Sequence, residues 1–467
     1  MSNEQVPKWL DAAAIEAALQ RKEAPDAAEL RDILDKSLAL ECLTIQEIAA
    51  LIKADGPEQW QEILGTARRV KELVYGDRVV LSAPLHISNY CDSECMYCAF
   101  RHSNDSVERK RMSEEEVVQA TTKLIRQGHK RVLLVAGESW PKGGLTYVLD
   151  AARTIYQVRV GTSGEIRRVN INLPPLTNEE YAELREADMG TCLLYQDTYH
   201  EESYKKVHVK GPKSNFVRRL NAQDRAMEAG VPDVGLGLLL GLGPWRYDLL
   251  ALSLHSAHLE RIYDSGCRTV SMHRMRPVPH GLLDAVPYPV SDFDYQQCVS
   301  LMRLAIPYAG IILTTKEPAQ LWRFGCDAGA SQLLTGSVAN PYESWNPQPG
   351  PGEVRFPIGE DCHVDEVVRF LIEEARHLPS FCTACPRLGR SGAEFMDMVR
   401  CGGMESQCGP NSIASFEEYL LGYATPYTRQ QGELLIKAKM EMMQEHERMA
   451  AEKILAKVKA GRRDEFI

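Results

Sequence analysis

Eight short apolar runs, each followed by a helical pattern, constrain this chain more than anything else in it. The runs are Val79–Ile87, Arg131–Val135, Val169–Leu173, Thr191–Tyr195, Val234–Leu242, Thr269–Met272, Ile311–Thr315 and Ser331–Thr335. They are rich in β-branched residues and largely apolar, without the in–out alternation of a half-exposed sheet. Parallel strands buried on both faces read this way. Helical spacing of apolar residues follows in Glu114–Gln127, Leu145–Gln157, Glu179–Ala187, Asn215–Gly230, Leu249–Asp264, Phe293–Tyr308, Pro318–Cys326 and Asp365–His377. Eight such units of the α/β class close most simply into a (β/α)₈ barrel, with its chemistry at the C-terminal strand ends. The alternative, an open doubly wound sheet, calls for a glycine-rich phosphate turn after its first strand. Here the first strand runs into a cysteine loop instead.

The chain divides accordingly into a helical preface, 1–77, a barrel, 78–378, and a C-terminal helical module, 379–467. In the preface, Asp26–Lys36 and Thr44–Lys53 open on capping residues and keep helical spacing. Asn340–Gly359, rich in Pro and Gly, reads as a loop. The charged, Met-rich tail Pro426–Arg463 reads as a helical segment whose methionines pack against the domain.

Thirteen cysteines are present, and three of them, Cys91, Cys95 and Cys98, sit in a C-x₃-C-x₂-C loop. Three thiolates can each hold one iron of a cubane [4Fe–4S] cluster, leaving the fourth iron open to a small molecule. A structural zinc site would want four closed ligands. A disulfide framework fails on the odd number and on the polar N-terminal residues, which carry no secretory pattern. A second set follows: Cys382 and Cys385 as C-x₂-C, then Cys408 after a further 22 residues. Cys401 competes there, since with the other three it would make a closed four-cysteine site, and spacing alone leaves both options open. The scattered cysteines (Cys42, Cys192, Cys267, Cys298, Cys326 and Cys362) read as small buried hydrophobes. A net charge of −10 disfavours a nucleic-acid role, and no apolar run reaches membrane-spanning length. The cysteine usage suits a reducing cytoplasm.

The first loop, with Tyr97 and Phe100 beside its last cysteine, resembles that of the radical S-adenosylmethionine (SAM) enzymes. Members of that family chelate SAM at the open iron and split it to a 5′-deoxyadenosyl radical. The resemblance implies further roles at the strand ends. Glu138, in a Gly-Glu pair after the second strand, would meet the methionine amino group. Asp197, in LYQDTYH, would approach the ribose, although it could merely open the next turn. Arg219 would take the SAM carboxylate, with adjacent Arg218 able to trade places. Within the family, the chain is similar over nearly its whole length to the tyrosine-lysing maturases of hydrogenase clusters. The stretches that carry this include RRVNINLPPLT, DRAMEAGVPDVGLGLLLGL, CTAC…RLGR and SFEEYLLGYA. The likeness favours Cys382, Cys385 and Cys408 as ligands of a second [4Fe–4S] cluster. It also implies cleavage of the Cα–Cβ bond of tyrosine to p-cresol and dehydroglycine, toward CO and cyanide ligands. A related group without the second cluster supplies dehydroglycine for thiamine.

Three departures from that pattern stand out. Where an iron-holding histidine is expected the chain has Arg268, flanked by Cys267 and His273; a guanidinium is not a metal ligand, so a further iron would need Cys267 or His273, or be absent. In the turn after the seventh strand an arginine is replaced by Lys316, which loses the bidentate fork for a carboxylate. The last strand reads LLTGSVAN, without the expected basic residue. These changes are expected together at one mouth of the barrel, with Lys316 and Arg268 as the substrate-side residues. Two rivals follow: a paralogue acting on another aromatic amino acid or a related substrate, and a non-catalytic iron–sulfur scaffold or carrier. An enzyme of this kind would need an electron donor such as ferredoxin or flavodoxin, and could meet cluster-assembly partner proteins.

Overall fold

The computed structural model describes residues 5–139, 144–161, 164–335, 363–401 and 404–467. Each of the eight apolar runs is a strand: β1 (Arg78–Ser88), β2 (Arg131–Ala136), β3 (Arg168–Asn172), β4 (Cys192–Asp197), β5 (Val234–Leu240), β6 (Thr269–Arg274), β7 (Gly310–Thr314) and β8 (Gln332–Leu334). All neighbours are parallel, and β8 returns to β1 with Val80, Leu81 and Ser82 opposite Gln332, Leu333 and Leu334. The sheet is therefore closed, which is the (β/α)₈ barrel the pattern predicts. Closure explains the unbroken apolar runs, because one face fills the barrel and the other receives the helices.

Two irregularities matter for the site. The β1–β2 register shifts between His86 and Ser88, and the β4–β5 register shifts between Tyr195 and Asp197. Bulges of this sort re-aim side chains at a barrel rim. The first lies just before the cysteine loop, and the second turns Asp197 into the left-handed region at φ 68°. A short polar side chain tolerates that conformation better than most.

Helices form where their ends are capped. Ser113, Thr177 and Ser291 make capping boxes at the starts of Glu114–Arg126, Asn178–Glu186 and Asp292–Ala305. Asn215–Gly230, expected as one helix, is broken into Phe216–Leu220 and Ala222–Glu228. The tail is likewise two helices, Pro426–Met442 and Glu445–Lys459. Its methionines divide: Met440 and Met443 pack on the core, whereas Met442 and Met449 are exposed.

The preface consists of Ala12–Leu19, Ala27–Leu38, Ile45–Ile52 and Pro57–Tyr75, with Asp26 and Thr44 capping as expected. It shares one hydrophobic core with the barrel rather than forming its own, and Trp9 stacks on His255 of Trp245–Tyr263. At the other end, Leu378–Ser380 pairs in parallel with the first residues of β1. The helix Glu405–Gly422 then closes the N-terminal face of the barrel. On it, Glu418 reaches Arg167 (2.8 Å) and Lys130 (3.3 Å), which immediately precede β3 and β2, and all three are almost fully buried. The predicted loop Asn340–Gly359, Cys362 and the residues after Thr335 in the last strand's motif lie outside the described residues.

Candidate active site

A cavity of about 290 Å³ opens at the C-terminal ends of the strands, and all three cysteines of the first loop line it. The loop is held in place from two sides. Met96 N–H donates to the Val207 carbonyl (2.9 Å), and the short strand Glu94–Cys95 pairs antiparallel with His208–Lys210. On the other side, a β-carbon at Gly137 would lie 2.1 Å from the Tyr90 carbonyl oxygen. Glycine at that position lets β2 come up against the cysteine loop and brings Glu138 into the cavity. That close approach is the physical content of the Gly-Glu pair.

Around the thiols the charged side chains form one network. Lys213 Nζ lies 2.8 Å from Asp197 Oδ2, and the Tyr97 hydroxyl donates to the same oxygen at 3.2 Å. Arg219 pairs with Glu138 Oε1 (2.5 Å) and donates from Nε to the Tyr195 carbonyl (2.6 Å). Arg218 is exposed and donates toward Pro175, so of the two adjacent arginines only Arg219 enters the cavity. Burial would raise the Asp197 carboxyl, but Lys213, with help from His208 and Arg219, holds it well below the usual carboxylate range. Burial likewise opposes the charge on Arg219, yet Glu138 keeps its guanidinium firmly protonated. Asp197 does not simply open a turn: its carboxylate faces the cavity, while Thr198 hydrogen-bonds Asp248.

The residues fit a cluster with SAM on it. Among the described residues no three His, Cys, Asp or Glu side chains converge as donors to one metal ion. Thiols that ligate separate irons of a cubane stand further apart than donors to a single ion. Burial pushes the Cys98 thiol up to about 11, so the free thiol keeps its proton until metal displaces it. Glu138 Oε2 is buried without a hydrogen-bond partner among the described residues. An unspent carboxylate oxygen beside the thiols suits an ammonium group. Phe100 packs with Ala99, Val107 and Cys98 against the loop, and Tyr97 is anchored on His208 and Asp197.

Lys316, His86, His273 and Tyr195 line the same cavity. Burial lowers the Lys316 ammonium, with Arg276 adding to the effect. Burial and Lys316 together hold His86 at about 3, a neutral imidazole. Tyr195 hydrogen-bonds Ser271 and approaches His273 Nδ1 at 3.4 Å. Sequence reasoning missed Lys213, His208, His86 and Tyr195. For His86 and Tyr195 a signal existed, since each lies at the C-terminal end of a strand. For Lys213 and His208 there was none, because the loop between β4 and its helix brings them in.

The second set of cysteines is at the opposite end of the barrel. Cys382, Cys385 and Cys408 line a chamber beneath the N-terminal ends of the strands, together with Arg268. Cys401 is exposed, ends the helix Gly392–Arg400 and does not line this chamber. A hydrogen bond from Cys408 pulls the Cys385 thiol down, and Arg268 and Arg78 add to the pull. This placement corrects two expectations. Lys316 and Arg268 are not at one mouth: the first follows β7 at the top, the second precedes β6 at the bottom. Nor do the two residues flanking Arg268 stand where they could hold a further iron at this chamber. Cys267 is fully buried behind Ser256, outside the chamber, and His273, at the far end of β6, lines the upper cavity.

Comparison with known proteins agrees with this geometry. A model described as the radical SAM superfamily matches residues 85–244, and one described as the biotin and thiamin synthesis associated domain matches 271–391. The chain is 31% identical to 2-iminoacetate synthase of Escherichia coli (strain K12) over 288 residues, which are 61% of this chain and 73% of that protein. HydG, a maturase of the [FeFe]-hydrogenase, superposes with a TM-score of 0.92 at 35% identity, covering 99% of this chain and 100% of the other. HydG from Carboxydothermus hydrogenoformans gives 0.80 at 34% identity, covering 95% and 96%. The chain belongs to the radical SAM superfamily, whose enzymes use a [4Fe–4S] cluster and SAM, and within it to the group of lyases that includes HydG and 2-iminoacetate synthase.

Proposed function

We propose that this enzyme cleaves the Cα–Cβ bond of tyrosine, giving p-cresol and dehydroglycine toward CO and cyanide ligands for a hydrogenase cluster. The observation that carries the reading is the upper cavity itself: three thiols, the Glu138–Asp197–Arg219 frame for SAM and a buried lysine for an amino-acid carboxylate share one enclosure. Bound there, the cluster and SAM supply the 5′-deoxyadenosyl radical that starts the reaction. The chain's own residues do the rest. Glu138 offers its unspent oxygen to the methionine ammonium, Asp197 accepts from the ribose hydroxyls, and Arg219 faces the methionine carboxylate. Lys316 holds the substrate carboxylate, and Tyr195, with His273 beside it, shapes the floor on which the side chain rests. Water is excluded by the apolar layer of Leu133, Leu193, Ile312 and Leu334 inside the barrel.

A second reading is favoured by Lys316: without a forked guanidinium, the site would suit another aromatic amino acid that needs less exact orientation. A scaffold has no use for a frame built around SAM. Electron supply from ferredoxin or flavodoxin, and delivery to cluster-assembly partners, belong to the same proposal. The test is an anaerobic assay of the reconstituted protein for SAM cleavage and p-cresol, with tyrosine, with tryptophan and with neither. p-Cresol from tyrosine supports the first reading. SAM cleavage stimulated by another amino acid, with no p-cresol, moves the assignment to the second, and no cleavage under any condition overturns both.

A further inference from the structure

Asp197 faces the upper cavity from a backbone conformation that does not hold itself. Among the described residues lining that cavity, it alone has a positive φ, 68°. A non-glycine residue stays in that region only when its surroundings over-determine it. The register shift between Tyr195 and Asp197 brings the strand to this point, but the chain beyond it must be fixed as well. Lys213 and Tyr97 secure the Asp197 carboxylate, which leaves the backbone to be secured from elsewhere.

Asp248 does this. It sits in the first turn of Trp245–Tyr263 and is fully buried. Its Oδ1 accepts from the Thr198 hydroxyl (2.9 Å) and from Tyr199 N–H (2.7 Å), the two residues that follow Asp197. Thr198 Oγ1 in turn accepts from His200 N–H (3.2 Å), and His200 caps Glu201–Val207. Tyr199 is held at its other end too, with its hydroxyl 2.8 Å from Nδ1 of His255, a residue of the same helix as Asp248. Gly243, in the turn before that helix, makes the room: a β-carbon there would overlap Thr198 Oγ1 and press on Asp248 Oδ2. A carboxyl in the first turn of a helix ordinarily serves that helix's own free N–H groups or its dipole. Asp248 spends Oδ1 on the exit from β4 instead, and its Oδ2 is buried with no hydrogen-bond partner among the described residues. Burial raises this carboxyl to about 7 against the pull of its two hydrogen bonds, and the Asp197 charge adds to the rise. An apolar enclosure beside another carboxylate is unfavourable for such a group in itself. What it contributes in return is the pair of bonds that fixes the chain leaving Asp197.

We infer that Asp248 is a positioning residue for SAM: through Thr198 and Tyr199 it sets the backbone that aims the Asp197 carboxylate at the ribose. The inference rests on Asp197 as the ribose acceptor, and it does not depend on which amino acid the upper cavity cleaves. The helix after β5 thus takes part in SAM binding although it contributes no side chain to the cavity.

SAM titrated into the anaerobically reconstituted, reduced full-length protein, followed by the change in the electron paramagnetic resonance signal of the first cluster, tests this directly. Asp248→Ala strands two donors at the exit from Asp197 and is expected to weaken SAM binding roughly tenfold or more. Asp248→Asn keeps an accepting oxygen and should stay within about threefold of wild type. Thr198→Val should weaken SAM by a smaller factor than Asp248→Ala. Combined with Asp248→Ala it should add no further loss, because the two changes break the same bond. Iron content should match wild type throughout. The inference is overturned if Asp248→Ala binds SAM like wild type, which is also what a merely structural role predicts for the iron-loaded protein. A loss in Asp248→Asn as large as in Asp248→Ala, or losses that multiply in the double variant, would overturn it too. Asp197→Ala, measured alongside, separates the two ways of failing. Full SAM affinity there removes the ribose reading and this inference with it, whereas a loss there with none in Asp248→Ala removes this inference alone. Should Asp248→Ala not fold, Thr198→Val decides: wild-type SAM affinity in that variant sinks the positioning role.

Discussion

In the proposed reaction, Lys316 is the residue on which substrate choice turns. Its ammonium is buried in the upper cavity and lowered by that burial. A compact charge on a flexible stem attracts a carboxylate without fixing its plane. Displacement of a reacting group by ~1 Å can cost ~10²-fold in rate. Lys316→Arg is therefore expected to raise p-cresol formation, and Lys316→Ala to raise the KM for tyrosine by roughly tenfold or more. The pH dependence has a definite sign. Because the ammonium is lowered, it loses its proton at a lower pH than an exposed lysine, so KM should climb on the alkaline side. Lys316→Arg should remove that climb, which steady-state kinetics across pH would show. Residue identity alone displayed the cysteines, the Gly-Glu pair and Lys316. It could not display Lys213, whose ammonium neutralises Asp197 from a loop 16 residues further along the chain.

Among the elements, the cysteine loop depends on a strand it is not part of. Since a β-carbon at Gly137 would collide with the Tyr90 carbonyl, Gly137→Ala should push β2 and the loop apart. Loss of about four of the eight irons expected for two clusters, with loss of 5′-deoxyadenosine, is the predicted outcome. Changing Cys91, Cys95 and Cys98 to Ala should give the same iron loss and abolish SAM cleavage. At the other end, Cys401 is exposed outside the chamber and Cys408 lines it. Cys401→Ser should leave iron content and spectra unchanged, while Cys408→Ser should lose the second cluster. Equal losses would establish a closed four-cysteine site. Element type and order were legible because burial on both faces writes a continuous apolar run into each strand. The break of Asn215–Gly230 at Asn221 was not, since no proline or glycine marks it. Arg219 and its bonds to Glu138 and the Tyr195 carbonyl lie in the turn just before that break.

For the molecule as a whole, the C-terminal module is tied to the barrel by a buried charge cluster. Glu418 of Glu405–Gly422 sits between Arg167 and Lys130, and the same helix carries Cys408 to the chamber. Arg167 keeps Asp464 and Glu165 and Lys130 keeps the Tyr423 hydroxyl, so Glu418→Ala should destabilise the protein by about 1–3 kcal/mol in chemical denaturation. Burial works against the Glu418 charge, but Arg167 and Lys130 win and lower its carboxyl. Its stabilisation is thus complete above the ordinary glutamate range and is lost as pH falls through the lowered value. Wild type should lose stability on acidification beyond what the Glu418→Ala protein loses. Strand burial writes the barrel into the chain and cysteine spacing marks the first set of thiols, because both are local properties; for the second set spacing leaves Cys401 open, and its exposure outside the chamber comes from the fold. Only the tertiary structure decided that Lys316 and Arg268 serve opposite ends. Parallel strands all point the same way, so a residue before one strand and a residue after another, alike in a sequence motif, are separated by the full depth of the barrel.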